Sequence, residues 1–474
     1  MSREKQALLT HYRRKKRFAG FTCLLLAILT GWFHWSLPIL LLTLLWLAHE
    51  AWGSDHLFYS PQQDYEYRFE EATAHRARIE TGQLSLTDTL TDGDTLVLEI
   101  STRARFLGKL FDPHVILGGE RFDFERACAG KRYLDISHHR AALAQGSVPL
   151  TIKHCALREE ARLFVFSSPD FSQRRVMVIA PHADDAELAA FGLYSRAKAP
   201  LIVNLTQGEA EAEDLAAALN IDLQEAARLK GRLRSWDSIC VPRWGGVPAE
   251  NCVQLGYYCM QLTSMRDAPD TPQASRYCGD GDIRTVRRWN CKPLPGDVNG
   301  APTWHNLLAD LETLINEFRP EVIVTPHQAM DPHPDHVAAT QALREALARS
   351  TVRPGHILLY ANHLHDNDRW PMGPAGGGIT LPPSFEATDA ACLWSHPLPP
   401  SSQRDKAMAL GMNHDLQGPL PAKKRLRRSI QNILAGRQWP RSGDNEYFRK
   451  AVRSRELFWV MSGEQFIDEP PGAT

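Results

Sequence analysis

What this chain has little of narrows its reading first. Across 474 residues, 54 basic side chains meet 55 acidic ones for a formal charge of −1. No global positive field is available to hold a phosphate backbone, so a nucleic-acid partner is not expected. The nine cysteines include no C-x-x-C pair, which removes the usual spacing of a structural zinc module. Five of them fall between Cys240 and Cys291, a density compatible either with disulfides in an oxidising compartment or with unpaired core thiols. Low hydrophobicity is missing too. With 43% hydrophobic, 23% charged and 9% aromatic residues, wholesale disorder and a fibrous repeat are excluded, and the length implies two or three domains.

Asp, Glu, Lys and Arg are absent from Phe18 to Ala48, a run well beyond the roughly 18 apolar residues that mark membrane insertion. Residues 1–17 ahead of it form a basic segment with Arg3, Lys5, Arg13, Arg14, Lys15, Lys16 and Arg17. The apolar core of a cleavable signal would be only about 7–15 residues, so residues 18–52 read as a retained transmembrane anchor with the lipid bilayer as partner. One helix would be about 46 Å long against a hydrocarbon core of about 30 Å, while two legs broken around His34–Pro38 would be about 24 Å each. Ser36 as a cap and Pro38 in a first turn favour the hairpin. Under the positive-inside rule a hairpin leaves the body cytoplasmic and a single span exports it. The acids that follow, Glu50, Asp55, Asp64 and Glu66 among them, oppose the cytoplasmic side, and the sequence leaves the side open.

Between about residues 60 and 170, Leu84, Leu86 and Leu90, then Leu96, Leu98 and Ile100, alternate with polar residues, and turn signals such as Thr91–Asp94 interrupt the runs. Period two with frequent turns predicts an antiparallel β-sandwich domain, serving as a spacer or a carbohydrate-binding module. From residue 172 to about 466 strands and helices alternate: strand 176–180, helix 186–196, strand 201–205, helix 304–318, strand 321–325, helix 337–348 and strand 357–360. The expected fold class is therefore α/β, a Rossmann-like, mostly parallel sheet with helices on both faces, preceded by the β-sandwich and the N-terminal membrane anchor. Residues 371–383, rich in Pro and Gly, read as a loop near the active-site rim. The basic run Lys423–Arg428 reads as a solvated helix face or as a surface for anionic lipid.

Chemistry-bearing residues cluster at two predicted strand exits. Pro181-His182-Ala183-Asp184-Asp185-Ala186-Glu187 follows the first strand, and Asp331-Pro332-His333-Pro334-Asp335-His336 follows the third. Imidazoles and a carboxylate brought together there can hold a divalent metal with an open position, while a second carboxylate takes a proton from water. That is the equipment of a metal-dependent hydrolase.

These residues resemble the zinc-dependent N-deacetylases of the PIG-L and LmbE-like group. That family's first motif is a hydrophobic strand followed by P/A-H-P-D-D-E, and its second, H-P-D-H, is matched letter for letter by His333–His336. The resemblance implies His182, Asp185 and His336 as ligands of Zn2+ or another divalent transition metal. It further implies Asp184 as the general base, His333 as the oxyanion stabiliser and Asp335 as a residue orienting a histidine. Thr206-Gln207-Gly208-Glu209 looks like the family's T-x-G-E turn, and Arg234 corresponds to a substrate-contacting arginine. The chain departs from the pattern at Ala183, where proline is usual, at Ala186-Glu187, which displaces the acid by one, and at Tyr258-Cys259, where an Asp often follows L-G-Y. Residues 260–303 look inserted. Within the resemblance, the expected activity is removal of N-acetyl groups from an N-acetylglucosamine-type unit of a bacterial envelope glycolipid or polysaccharide precursor, an acetylated amino-sugar glycoconjugate met at the inner membrane. Hydrolysis of another N-acyl amide, or noncatalytic carbohydrate binding, remain the alternatives.

Overall fold

The computed structural model describes residues 3–32, 34–54, 57, 59–364, 369–385, 388–389, 392–418, 420–437 and 446–468. Helix α1 (Arg3–Gly31) carries the basic segment and the first apolar stretch. Helix α1 ends at Gly31, and the next helix is α2 (Ser36–Ala48), which touches α1 and continues as a π-type turn over His49–Gly53. Pro38 lies in the first turn of α2, where its missing N–H costs no helical bond. Among the described residues, Ser36–Gly53 is the one helix long and apolar enough to cross a membrane by length and composition.

The period-two segment folds into strands β1 (Thr73–Glu80), β2 (Gln83–Leu86), β3 (Thr95–Ala104), β4 (His114–Leu117), β5 (Glu120–Asp123), β6 (Ala129–Asp135), β7 (Ser147–Lys153), β8 (Cys155–Leu157) and β9 (Glu160–Phe166). They form one hydrogen-bonded path, β5-β4-β7-β2-β1-β9-β3-β6, with β8 paired to β3. This differs from two separate sheets packed face to face. The first half of β7 pairs with β2 and its second half with β4, so one antiparallel sheet curls over on itself. Its inward residues, Leu84, Leu96, Leu98, Ile100, Val115, Leu117, Val148 and Leu163, make one core, as the pleat requires of alternate positions.

The second sheet contains β10 (Arg175–Ala180), β11 (Ala199–Thr206), β12 (Cys252–Tyr257), β13 (Val322–Pro326), β14 (His356–Tyr360), β15 (Cys392–Pro397) and β16 (Arg455–Ser462). Their order is β12-β11-β10-β13-β14-β16-β15, with the first five parallel and the last two antiparallel to their neighbours. Strand β10 is buried on both faces: Val176, Val178 and Ala180 join one core, Met177 and Ile179 the other, which is why the strand reads as an unbroken apolar run. The connecting helices include α3 (Asp185–Tyr194), α4 (Leu223–Trp244), α5 (Trp304–Phe318) and α6 (Pro334–Arg349). Strand order reverses between β10 and β13, and a crevice opens at the carboxyl ends of strands at such a point.

The two sheets are joined by buried polar contacts. Ser395 of β15 donates its N–H to Thr95 Oγ1 at 3.0 Å and its hydroxyl to Asp135, which also faces Arg455 at 3.6 Å. The Pro- and Gly-rich stretch expected at the active-site rim lies here instead. Asp135 N donates to Ile379 O and Leu381 N to Tyr133 O, both at 2.9 Å, so the loop covers the otherwise unpaired edge of β6. Arg453 clamps it by donating to the carbonyls of Pro371, Met372 and Pro374. All nine cysteines are free thiols.

Candidate active site

Both sequence motifs leave the sheet at the reversal point. After β10 the chain turns at Pro181, whose carbonyl accepts from Thr206 N at 3.0 Å and Thr206 Oγ1 at 2.9 Å. Asp184 then adopts φ +118°, a backbone state disfavoured for any residue with a Cβ and typical of strained functional positions. Helix α3 begins at Asp185. After β13, His333 caps α6: its Nδ1 accepts from Asp335 N at 3.3 Å. Pro334 occupies the first helical position, and His336 points inward from the first turn.

Three atoms from the two loops form a small triangle. His182 Nδ1 and Asp185 Oδ2 are 3.2 Å apart, His336 Nε2 and Asp185 Oδ2 3.1 Å, and His336 Nε2 and His182 Nδ1 3.3 Å. Ligands about 2.0–2.1 Å from a tetrahedral Zn2+ lie roughly 3.3 Å from one another, so the donor types and spacings fit such an ion. The remaining atoms of each group are held from behind. His182 Nε2 faces Asp335 Oδ2 at 3.2 Å, His336 Nδ1 faces Asp331 Oδ2 at 2.9 Å, and Asn362 Nδ2 donates to Asp185 Oδ1 at 2.8 Å. Carboxylates behind both imidazoles fix their tautomers and raise their basicity as ligands.

Electrostatics points the same way. Burial opposes protonation of His336, yet Asp185 and Asp331 push it up to about 9. For His182, burial is likewise outweighed, by Asp185 and Asp335. Positive charge is therefore drawn to this point, where a bound dication would replace protons. Burial, reinforced by Asp185 and opposed by Arg234, pushes the Asp184 carboxyl up to about 7. His333 goes the other way: burial and the neighbouring His182 and His336 bring it down to about 4. It is neutral near pH 7, and because Nδ1 accepts a backbone N–H, its Nε2 carries the remaining proton.

Arg234, on α4, is buried against the motif rather than reaching into open space. It donates to Ala183 O at 2.8 Å and pairs with Asp184 at 3.2 Å and Asp415 at 3.1 Å. Gly208, in the Thr206–Glu209 turn, has φ +66°, and a Cβ there would lie 2.8 Å from the guanidinium, so glycine permits this approach. Glu209 ties down the chain that follows β12 by accepting from Cys259 N and Ser275 Oγ. Glu187, the displaced acid, accepts from Tyr194 Oη within the helix layer. The triangle opens into a cavity of about 910 Å³ that Asp184, His333, Arg234 and Asp415 line, with Met260 and Tyr277 contributed by the 260–303 segment and Cys259 beside His182 at 3.7 Å.

Sequence reasoning assigned no role to Asp331, Asn362, His363 or Asp415. Asp331 was visible, since it opens the second motif cluster. Asn362 and His363 follow β14 and Asp415 lies far along the chain, with no local pattern to mark any of them.

Residues 177–347 match the family model described as PIG-L, GlcNAc-PI de-N-acetylase. The chain carries a PIG-L family domain. Both motif loops fall inside the matched region, whereas helices α1 and α2 and the antiparallel sheet lie outside it. No curated protein matches the chain. Solved structures that resemble it include N,N'-diacetylchitobiose deacetylase from Pyrococcus horikoshii, 14% identical, covering 64% of this chain and 89% of that one at a TM-score of 0.34. A triple mutant of a deacetylase of the teicoplanin biosynthetic pathway is 16% identical over 61% and 98% of the two chains, TM-score 0.31. The 4-carboxy-2-hydroxymuconate hydratase of Pseudomonas putida KT2440 is 13% identical over 54% and 83%, TM-score 0.29. Likenesses this distant carry no inference about reaction or substrate.

Proposed function

We propose that this chain is a metal-dependent N-deacetylase that removes the acetyl group from an acetylated amino sugar carried on a membrane glycoconjugate. The observation that carries the reading is the triangle of His182 Nδ1, Asp185 Oδ2 and His336 Nε2, with edges of 3.1–3.3 Å, set in a PIG-L family domain. In this reading residues 172–466 are a Rossmann-like catalytic domain, residues 60–170 a β-sheet domain fused to it, and residues 18–52 a hairpin anchor. A hairpin returns the body to the side of the basic N-terminus, the cytoplasmic face of a bacterial inner membrane.

His182, Asp185 and His336 would hold a Zn2+ ion, which would supply Lewis acidity that lowers the pKa of water and polarises a carbonyl. Asp184 accepts the proton of the attacking water, and Arg234 fixes that carboxylate while opposing the rise in its pKa. His333 donates from Nε2 to the carbonyl oxygen as negative charge develops there. Asp335 and Asp331 keep the two ligand imidazoles in the required tautomers. The proton held on Asp184 passes to the departing amine nitrogen, and acetate is released.

The test is acetate release by the zinc-loaded protein from N-acetylated chitooligosaccharides and from isolated envelope glycolipids. Asp184→Asn is expected to keep its zinc while losing about 10²–10⁴-fold in kcat. Undiminished turnover in that variant would remove Asp184 as the base, and no acetate from any acetylated amino sugar would overturn the substrate class.

A further inference from the structure

The basic run becomes helix α7 (Ala422–Ala435), and its residues sort onto three faces. Ile430, Gln431 and Ala435 are buried against the body. Ala422, Leu426, Ser429 and Ile433, spaced i, i+4, i+7 and i+11, form a single outward stripe in which Leu426 is 51% and Ile433 79% exposed. Lys423 and Arg425 fall on opposite sides of that stripe, and no acidic residue occurs between Ala422 and Ala435. An apolar stripe flanked by cations is the pattern of a helix lying in a membrane interface.

Its place in the molecule supplies the second argument. Helix α7 rests on the turn that ends the apolar hairpin: Arg427 Nε donates to Glu50 Oε2 at 2.6 Å, and Gln431 Nε2 donates to Ser54 Oγ at 3.3 Å. On this same turn Trp52 Nε1 donates to Leu110 O at 3.0 Å, next to the short Phe106–Lys109 turn, where Phe106 is 77% and Leu107 48% exposed. Two elements of the body that carry exposed apolar side chains therefore meet the turn at the end of α2. An apolar surface of that kind is rare unless something covers it.

We propose that α7, with the Phe106–Lys109 turn, is an interfacial docking surface for an anionic phospholipid bilayer. This inference rests on the membrane-anchor reading of residues 18–52. Lys423 and Arg425, on the two flanks of the stripe, face the lipid phosphates, and Leu426 and Ile433 enter the acyl boundary. The consequence reaches the active site. Asp415 and Leu416 line the catalytic cavity, and the chain from Leu416 to Ala422 can span at most about 22 Å. Docking of α7 thus holds the cavity close to the headgroups, where an amino sugar linked to lipid is presented.

The test uses the full-length chain in nanodiscs of phosphatidylcholine with or without phosphatidylglycerol, labelled with an amine-acylating reagent and read by mass spectrometry. Labelling of Lys423, which flanks the stripe, is expected to fall severalfold in the anionic discs, with Lys292 as the exposed reference. The Leu426→Glu/Ile433→Glu variant, altered only at exposed positions, is expected to restore labelling to the phosphatidylcholine level. Equal labelling in both lipids overturns the proposal. So does protection that depends on protein concentration rather than lipid, which would assign the stripe to a second copy of the chain. Recovery of the chain free of lipid overturns it together with the anchor, while acetate release from a soluble chitooligosaccharide reports the catalytic reading separately.

Discussion

Asp112 and Asp185 are both carboxylates withdrawn from water, but their surroundings differ. Asp112, in the first sheet region, sits between two guanidiniums: Arg126 Nε donates to it at 2.7 Å, and Arg437 donates from Nε and Nη2 at 3.0 Å. Burial raises its pKa, yet Arg437 and Arg126 together hold it well below the usual carboxylate range. Asp185 sits instead among imidazoles and other carboxylates, with Asp184, Asp331 and Asp335 nearby and Arg234 touching only the Asp184 side. The first cluster is neutralised by the chain itself and serves structure. The second is left short of positive charge, which is how a site for a cation differs from a buried ion pair.

That contrast can be broken most severely at His336. His336→Ala removes one corner of the triangle, and with it two of the three edges, and is expected to abolish acetate release and most bound zinc; a metal content equal to the parent, measured by mass spectrometry, would exclude His336 as a ligand. Asp112→Asn should spare activity and zinc but cost about 3 kcal/mol of stability at neutral pH, because Arg126 and Arg437 lose a shared charged partner. The sign follows from the depressed folded pKa: the stabilisation is complete above the unfolded value of about 3.9 and is lost as pH falls through the folded one. Denaturation of parent and variant should therefore converge only in strong acid.

Asp331→Asn keeps the shape behind His336 but removes its charge, and should weaken zinc affinity about 10–100-fold in a chelator competition. An unchanged affinity would show that Asp331 merely fills space. Smallest is the effect of Arg234→Met on protonation. The guanidinium opposes the burial that raises Asp184, so its loss should move the acid limb of the kcat/KM profile to higher pH. A limb that stays in place would separate Arg234 from the base and return it to substrate contact alone.

The motif loops were legible because each is a contiguous run at the exit of an apolar strand, and the α5 boundaries read from the 3.6-residue spacing, Trp304 to Phe318, agree with the structure. Strand β12 was missed. Its sequence Cys252-Val-Gln-Leu-Gly-Tyr257 is buried on both faces, but its apolar run is interrupted by Gln254, whose side chain donates to Thr206 O and Ser238 Oγ. The period-two runs at Leu84–Leu86 and Leu96–Ile100 lie in β2 and β3, but the single path of the sheet was not legible, because β7 serves two neighbours with one run of residues. The loop at 371–383 was placed wrongly, since composition marks a loop without saying which edge it covers. Arg234 was recognised, but its two carboxylate partners come from residues 50 and 181 positions away.

Sequence alone therefore determined the chemistry available: the imidazoles, the paired Asp residues, the uncharged N-terminal run and the basic helix near the C-terminus. These depend on side-chain type and short-range periodicity, which local steric and solvation rules fix. Tertiary structure decided which of the acids stand behind His182 and His336, that Arg234 grips Asp184, and that α7 rests on Glu50 some 377 residues earlier in the chain. Such pairings are set by how the sheet and helices bury their apolar faces, and only that packing brings remote polar groups within hydrogen-bonding distance.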